Sequence, residues 1–188
     1  MASEPRERIL ATATRLFSDD GIHAVGMDRI ITEADVGPMT VYRHFGGKDT
    51  LVAATLERWS AQWLRWLGDQ VDRCGDDPDA RFAGLWDALE GWVATEDFRG
   101  SFVANAAIEL RSQPAHPAHR VIAAHRVKLR RLLEEVSARA GAQHPDGLAA
   151  QLQALLDGAT AAAVVDRRPE GAGNVRQLAT AALSAAAG

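Results

Sequence analysis

Five side chains between positions 39 and 48 have the chemistry needed to hold a polyanion and read its surface. Lys48 opens a long helical segment, where free backbone N–H groups and the ammonium would meet an arriving anion together. Thr40 and Tyr42 carry hydroxyl groups that can bond phosphate or sugar oxygens, and Arg43 can pair with O6 and N7 of guanine. With Met39 on the face of Arg43, the set predicts contacts to DNA. Two alternatives stay open: an ordinary solvated lysine at 48 and a plain surface charge at 43.

Two short helices joined by a tight turn must position these side chains. Gly37 suits the N-cap of the second helix, and Pro38 suits its first position because the missing N–H is not needed there. Val41 and Phe45 then point inward, away from Met39 and its neighbours. Such a short helix is not stable alone in water, so a preceding helix must support it and its free face is left for a partner. The apolar stripe that predicts this preceding helix has helical spacing and consists of Met27, Ile30, Ile31 and Ala34.

Composition favours an all-α protein, since Ala, Leu, Arg and Glu are abundant in the 188 residues and alternating segments are few. The net charge is −4, and the first fifty residues hold six Lys or Arg against eight Asp or Glu, so any DNA contact must be local. The single Cys74 suits a reducing cytoplasm. Neither a leader peptide nor a membrane-spanning segment is indicated.

Besides the two short helices, periodicity and breakers predict helices over 5–20, 48–74, 79–95, 102–112, 118–140, 146–166 and 173–187.

Residues 9–52 resemble the TetR family of transcriptional regulators. The resemblance is carried by the first apolar helix, by Gly21, by MDRIITEADVG, and by TVYRHFGGKDTL; the segment FRGSFVANAAIEL is a weaker signal. It implies that Thr40, Tyr42, His44 and Lys48 contact DNA. The chain departs from the family pattern at three positions, none of which is a contact residue. Asp35 replaces a glycine but tolerates the left-handed conformation, Gly37 replaces a serine cap, and Ile31 replaces a small residue.

The resemblance implies about nine helices, with a helix-turn-helix domain over 1–47 and a ligand-binding and dimerisation domain over 48–188. It further implies a cytoplasmic homodimer that binds a palindromic DNA operator and is released by a small hydrophobic or aromatic effector. Repression is expected, although activation stays open because the regulatory sign depends on operator position. The competing interpretation is an inducer-independent module with the same fold that acts on DNA or on a protein partner.

Tryptophans dominate the region where this family keeps its ligand pocket, and five Trp in a chain with one Tyr is a heavy concentration. A cavity lined by indoles would accept a flat or hydrophobic ligand. The alternative is ordinary core packing. The residues predicted to line the pocket are Trp59, Gln62, Trp63, Trp66, Trp86, Trp92, Phe102 and Asn105, with Glu109 as a further polar anchor.

Two stripes near the C-terminus predict a four-helix dimer interface, because small apolar residues let helices approach closely. The alternative is core within one chain. The predicted interface residues are Leu148, Leu152, Leu155, Leu156, Ala159, Leu178 and Ala182.

No catalytic constellation is visible, so an enzyme is not predicted and no cofactor is expected. His116, His119 and His125 do not converge at helical spacing as zinc ligands would, so no metal site is predicted. Cys74 has no neighbouring base or second cysteine that would indicate a redox sensor.

Overall fold

The computed structural model describes residues 4–96, 98–166 and 171–187, and within these ranges all regular structure is helical. The predicted all-α class is confirmed, and the element bounds agree with the predicted helices to within about three residues. The helices in chain order are α1 Glu4–Asp20, α2 Met27–Glu33, α3 Pro38–Phe45, α4 Lys48–Asp72, α5 Pro78–Val93, α6 Phe102–Glu109, α7 Ala118–Arg139, α8 Pro145–Asp166 and α9 Gly171–Ala187.

The chain packs as two compact units. Unit 1 comprises Met1–Gln62 and Phe102–His125, and unit 2 comprises Trp63–Ser101 and Arg126–Gly188. Both α4 and α7 therefore contribute to both units. The predicted functional boundary between residues 47 and 48 is a different kind of division and stays a prediction.

Unit 1 is built around the apolar face of α1, whose members Ile9, Ala13, Leu16 and Phe17 are buried. The short helices α2 and α3 are anchored in this core by Ile30, Val41 and Phe45. Burying an aliphatic or aromatic side chain contributes about 1.5–3 kcal/mol, which helices of seven and eight residues need because they are too short to be stable alone. The same cluster also includes, from α4, α6 and α7, Leu51, Val52, Leu56, Phe102, Val103, Ala106 and Ile122.

Unit 2 is held by packing of α8 on α9 and of α5 on α9. A corner between α4 and α5 is fixed by Arg81, which is 8% exposed. Its guanidinium donates to Asp72 Oδ1 at 2.6 Å and to the carbonyl of Gly75 at 3.0 Å. The apolar face of α8 is buried in this unit; its buried apolar members are Leu148, Ala149, Leu152, Leu156, Ala159 and Ala163.

Helix α8 bears on the prediction that the chain has no membrane-spanning segment. Its 22 residues contain a window of mean hydropathy 1.4, so by length and composition alone it would qualify as membrane-spanning. Its packing on α9 and its buried stripe of leucines and alanines are those of a core helix in unit 2.

Candidate nucleic-acid interface

The turn between α2 and α3 has a left-handed residue at Asp35, with φ of 50°. This confirms the expectation that Asp35 fills the place of a glycine. Arg8 of α1 supports the turn, because its Nη2 donates to the carbonyl oxygen of Asp35 at 2.9 Å. The helix α3 then begins as predicted, with Gly37 in extended conformation at the N-cap and Pro38 in the first turn. The turn is therefore fixed both by local backbone chemistry and by a side chain 27 residues away.

One face of α3 is buried and the opposite face is open. Val41 is 0% and Phe45 is 7% exposed, whereas Met39 is 79% and Tyr42 is 46% exposed. Arg43 is exposed as well, and the two other predicted contact residues, Thr40 and His44, are half-buried on the flanks. The open face thus presents a thioether, a phenol and a guanidinium. That combination can contact base edges and bond phosphate oxygens.

Lys48 is the first residue of α4 and is half-buried. Burial lowers the pKa of its ammonium, while the negative charges of Glu109 and Asp49 raise it. The joint before it is closed by Thr50, whose hydroxyl donates to the carbonyls of Phe45 and, at 3.0 Å, Gly47. Thr50 therefore fixes the joint between the end of α3 and Lys48. The first turn of α4, to which Lys48 belongs, has backbone N–H groups with no acceptor within the helix.

The C-terminal end of α6 is bonded to the turn between α1 and α2. The carboxylate of Glu109 accepts from the backbone N–H of Ile22 at 3.1 Å and of His23 at 2.9 Å. In return, His23 Nε2 bonds the carbonyl of Glu109 at 3.0 Å. Gly21 allows this approach, since it has φ of +89° and a Cβ there would lie 3.3 Å from the carboxylate. Glu109, predicted as an anchor for a ligand, is thus occupied by the backbone of unit 1.

A second polar link joins α4 to the segment before α7. Nδ1 of His116 accepts from the backbone N–H of Ala118 at 3.1 Å, so the proton lies on Nε2, which is 3.5 Å from Asp49 Oδ1. Burial lowers the pKa of His116, opposed by the charge of Asp49. Neither link follows a local pattern in the sequence. Contacts between residues 65 to 90 positions apart leave no periodic signal, which is why Glu109 and His116 were missed as structural residues.

Three carboxylates among the first fifty residues are held in ion pairs with arginines. Glu33 accepts from Arg15 at 2.5 Å and from Arg29 at 2.8 Å, and Arg29 also bonds Asp20 at 2.7 Å. Glu7 of α1 pairs with Arg58 of α4. Arg15 and Arg29 lie within the same fifty residues, so only the pair of Glu7 with Arg58 reduces the acidic excess of this segment.

The predicted pocket residues are divided between the two units. In unit 1, Trp59 is half-buried and lies edge-on to Phe102, with ring centroids 6.1 Å apart. Trp59 also lies beside His125, whose Nδ1 is 2.8 Å from the Ser60 hydroxyl. Of the two polar candidates, Gln62 is exposed and Asn105 is half-buried.

Unit 2 gathers three of the tryptophans. The rings of Trp63 and Trp92 are 5.2 Å apart, those of Trp63 and Trp66 are 6.2 Å apart, and Phe98 lies edge-on to Trp92 at 5.0 Å. Trp86 lies elsewhere in the unit, 2% exposed and next to Phe82. It lines a shallow cleft that encloses about 10 Å³, room for about one water molecule, and otherwise opens to solvent. The other residues of the cleft are Leu89, Glu90, Val93, Leu156, Ala159, Thr160 and Val175.

The residues predicted for the dimer interface also fall into two groups, one buried within the chain and one still accessible. Leu148, Leu152, Leu156 and Ala159 are at most 7% exposed in the single chain, so the alternative of intrachain core describes them. The periodic stripe was read correctly, but the chain covers it itself. The remaining three residues stay available for the prediction, with Leu178 56% exposed and Leu155 and Ala182 half-buried.

Comparison with known proteins gives a consistent result. Residues 9–55 match the family model described as bacterial regulatory proteins, tetR family. Over 118 residues the chain is 31% identical to the HTH-type transcriptional regulator LmrA of Bacillus subtilis (strain 168), an alignment that covers 61% of this chain and 63% of LmrA. The chain thus spans somewhat less than two thirds of that curated relative.

Solved structures extend the similarity to nearly the whole chain. SCO4454, a TetR-family regulator from Streptomyces coelicolor, is 34% identical with a TM-score of 0.85, over 98% of this chain and 97% of SCO4454. A regulator of the same type from Streptomyces avermitilis is 32% identical with a TM-score of 0.82, over 98% of both chains.

Proposed function

Because this chain belongs to the TetR family of bacterial transcriptional regulators, we propose that it binds a near-palindromic operator as a homodimer and leaves it when a small molecule binds. That it is a DNA-binding regulator and not an enzyme follows from the family. Repression, the operator's symmetry and the effector are the proposal's own content. We expect the protein to act in the cytoplasm, where the DNA is.

The observation that carries the proposal is the two-faced helix α3. Its buried side is anchored by Val41 and Phe45, so the helix can enter a major groove as a rigid body. We assign groove contacts to Met39 and Arg43. Phosphate or sugar contacts are assigned to Thr40, Tyr42, His44 and Lys48.

The experiment that tests DNA recognition uses the purified chain and sheared DNA of its source genome. Recovered fragments should share a two-fold symmetric sequence, with half-sites one helical turn (about 34 Å) apart. Recovery of random fragments would refute specific binding. In the same assay Lys48→Ala should weaken binding to every sequence and make the dependence of log K on log salt shallower by about one. An unchanged salt dependence would refute the role of Lys48.

The proposed dimer uses the outer faces of α8 and α9. These faces expose Val165 at 79% and Leu178 at 56%, together with the small residues Ala154, Gly158 and Ala161. Gly158 has nothing within 4 Å of a Cβ placed on it, so a second helix has room to approach closely. Two chains joined there would make a four-helix bundle.

The proposed effector is small and hydrophobic or aromatic, and it binds in the tryptophan-rich unit 2. Support comes from the aromatic group of Trp63, Trp66 and Trp92, whereas the cleft beside Trp86 would have to widen to admit such a ligand. Helix α4 carries Lys48 at its start and two of these tryptophans further along, so a shift of α4 would transmit the signal.

Linkage provides the test of this signal. If an effector releases DNA, saturating operator must weaken effector binding by the same factor. Titrations followed by tryptophan fluorescence, with and without operator, measure that factor. Equal affinities would refute the coupling and favour an inducer-independent regulator with the same fold.

A further inference from the structure

We propose that Arg6 of α1 is an additional phosphate contact, which extends the DNA surface beyond α3 and the start of α4. The proposal rests on the DNA-binding function argued above. It adds a contact from the first helix, which the motif residues between 39 and 48 do not include.

The position of Arg6 is set by the last turn of α3. Its guanidinium carbon lies 5.5 Å from the centroid of the Phe45 ring, a cation–π contact. Phe45 precedes Lys48 by three residues and follows Arg43 by two. A planar guanidinium stacked on a ring still has N–H groups at its edge, and this geometry suits bidentate bonding to phosphate.

The Lys and Arg residues between positions 4 and 62 fall into two groups according to their partners. Arg15, Arg29 and Arg58 donate to carboxylates, and Arg8 donates to the carbonyl of Asp35. These four serve the internal structure of the unit. Each already has an acceptor that a phosphate would have to displace.

The second group comprises Arg6, Arg43 and Lys48. Among residues 4–96, 98–166 and 171–187, no carboxylate oxygen lies within 4.0 Å of their charged nitrogens. All three belong to or contact the end of α3 and the start of α4. Cations that form no ion pair leave a local positive potential, which the charges of Glu109 and Asp49 reduce at Lys48 and which a bound phosphate backbone would relieve.

The acidic residues of the first turn of α1 do not cancel Arg6. Glu7 is already paired with Arg58. Glu4 is two positions before Arg6, and residues at i and i+2 do not face each other on a helix. The structural alternative is that Arg6 only covers the edge of the Phe45 ring. That alternative predicts no effect on the salt dependence of DNA binding.

The test measures binding of a fluorescein-labelled 30-base-pair duplex of random sequence by anisotropy, between 50 and 200 mM NaCl. Phosphate contacts are sequence-independent, so no operator is needed. For Arg6→Gln the slope of log K against log salt should become shallower by about 0.9 for each bound protomer. The ratio of the affinity of the unmodified protein to that of Arg6→Gln should then fall by about three- to fourfold between 50 and 200 mM NaCl. Arg6→Lys should keep the slope.

The matched control is Arg15→Gln, which removes the same charge from the same helix but from an arginine already paired with Glu33. Its slope should equal that of the unmodified protein. An unchanged slope for Arg6→Gln, or an equal decrease for Arg15→Gln, overturns the proposal, the latter because only net charge would then matter. If Lys48→Ala lowers the slope and Arg6→Gln does not, only Arg6 fails. If the unmodified protein binds no duplex at 50 mM, the DNA function fails with it.

A second measurement needs no substitution. Phenylglyoxal modifies accessible arginines, and mass spectrometry reports the extent of modification at each site. The duplex should protect Arg6 and Arg43 and leave Arg15 unprotected. Equal modification of Arg6 with and without the duplex would overturn the proposal even if Arg6→Gln failed to fold.

Discussion

Units 1 and 2 are both helical and both bury leucines and aromatics, but they differ in how polar groups are used. In unit 1, Glu109 and Arg8 make directed hydrogen bonds to backbone atoms far away in the chain, and His116 Nε2 lies 3.5 Å from Asp49 Oδ1. In unit 2, the buried atoms Trp86 Nε1, Glu90 Oε1 and Arg81 Nε lack a hydrogen-bond partner among the described residues. Directed bonds hold α3 and its supports in one geometry, whereas the unsatisfied polar atoms of unit 2 would be hydrogen-bonding partners for the effector proposed there.

The largest expected effect comes from breaking the polar network of unit 1. Glu109→Ala leaves the N–H groups of Ile22 and His23 without their charged acceptor. We expect the free energy of unfolding to fall by about 3 kcal/mol, measured by urea denaturation. Glu109→Gln keeps one acceptor oxygen and should lose about half as much. The control is Glu134→Ala, an exposed carboxylate on α7, which should change stability by less than about 0.5 kcal/mol. Equal losses for both alanine variants would contradict the role of Glu109.

The next effect tests how tightly unit 2 is packed. A Cβ at Gly84 of α5 would lie 2.2 Å from the Cys74 sulfur, so one of the two must move. Gly84→Ala should destabilise the protein by about 1–3 kcal/mol through overpacking. Adding Cys74→Ala should recover most of that loss in a double-mutant cycle. No recovery would mean that the strain lies elsewhere.

A substitution on the outer face of α8 and α9 should change the stability of the single chain little but should weaken dimer formation clearly. Leu178→Glu should raise the Kd of the dimer by about 30-fold or more without unfolding the chain. Light scattering across a dilution series measures the change. Val127→Glu is the matched control, because Val127 of α7 is 52% exposed while Leu178 is 56% exposed. If both variants remain dimeric at the same dilution, the proposed interface is wrong.

The smallest effect concerns pH. The pKa of His116 is lowered in the folded chain by burial. Its contribution to stability is therefore present above the unfolded value of about 6.5 and is lost as pH falls through the folded pKa. Urea denaturation at pH 7.5, 6.5 and 5.5 should show this loss, and His116→Asn should flatten it. A variant with the same pH profile as the unmodified protein would assign the loss to another group.

Much of the proposed DNA-contacting face of α3, with the turn before it, could be predicted because its sequence signals are local. The break at Asp35, the N-cap at Gly37 and the inward pair Val41 and Phe45 follow from backbone preferences and helical spacing, and the structure confirms them. The supports were not predictable, since Arg8 and Glu109 act on residues 27 and 87 positions away.

The tryptophans and leucines show the limit of periodicity. Trp59, Trp63 and Trp66 have helical spacing, yet Trp59 packs in unit 1 and the other two in unit 2. Likewise, the stripe of Leu148 and Leu152 is apolar, as predicted, but is covered by the same chain. An apolar stripe predicts that one face of a helix is buried, but it does not predict which residues cover that face.

The sequence alone determined the positions of the helices, their caps and the side chains on the exposed face of α3. Each of these features depends on neighbours within about four positions. Folding alone determined which carboxylate closes the turn at Ile22, which arginines form no ion pair among the described residues, and which apolar residues of α8 and α9 stay exposed. Those outcomes depend on residues that meet only when distant helices pack, and no property of the separate segments specifies the partner.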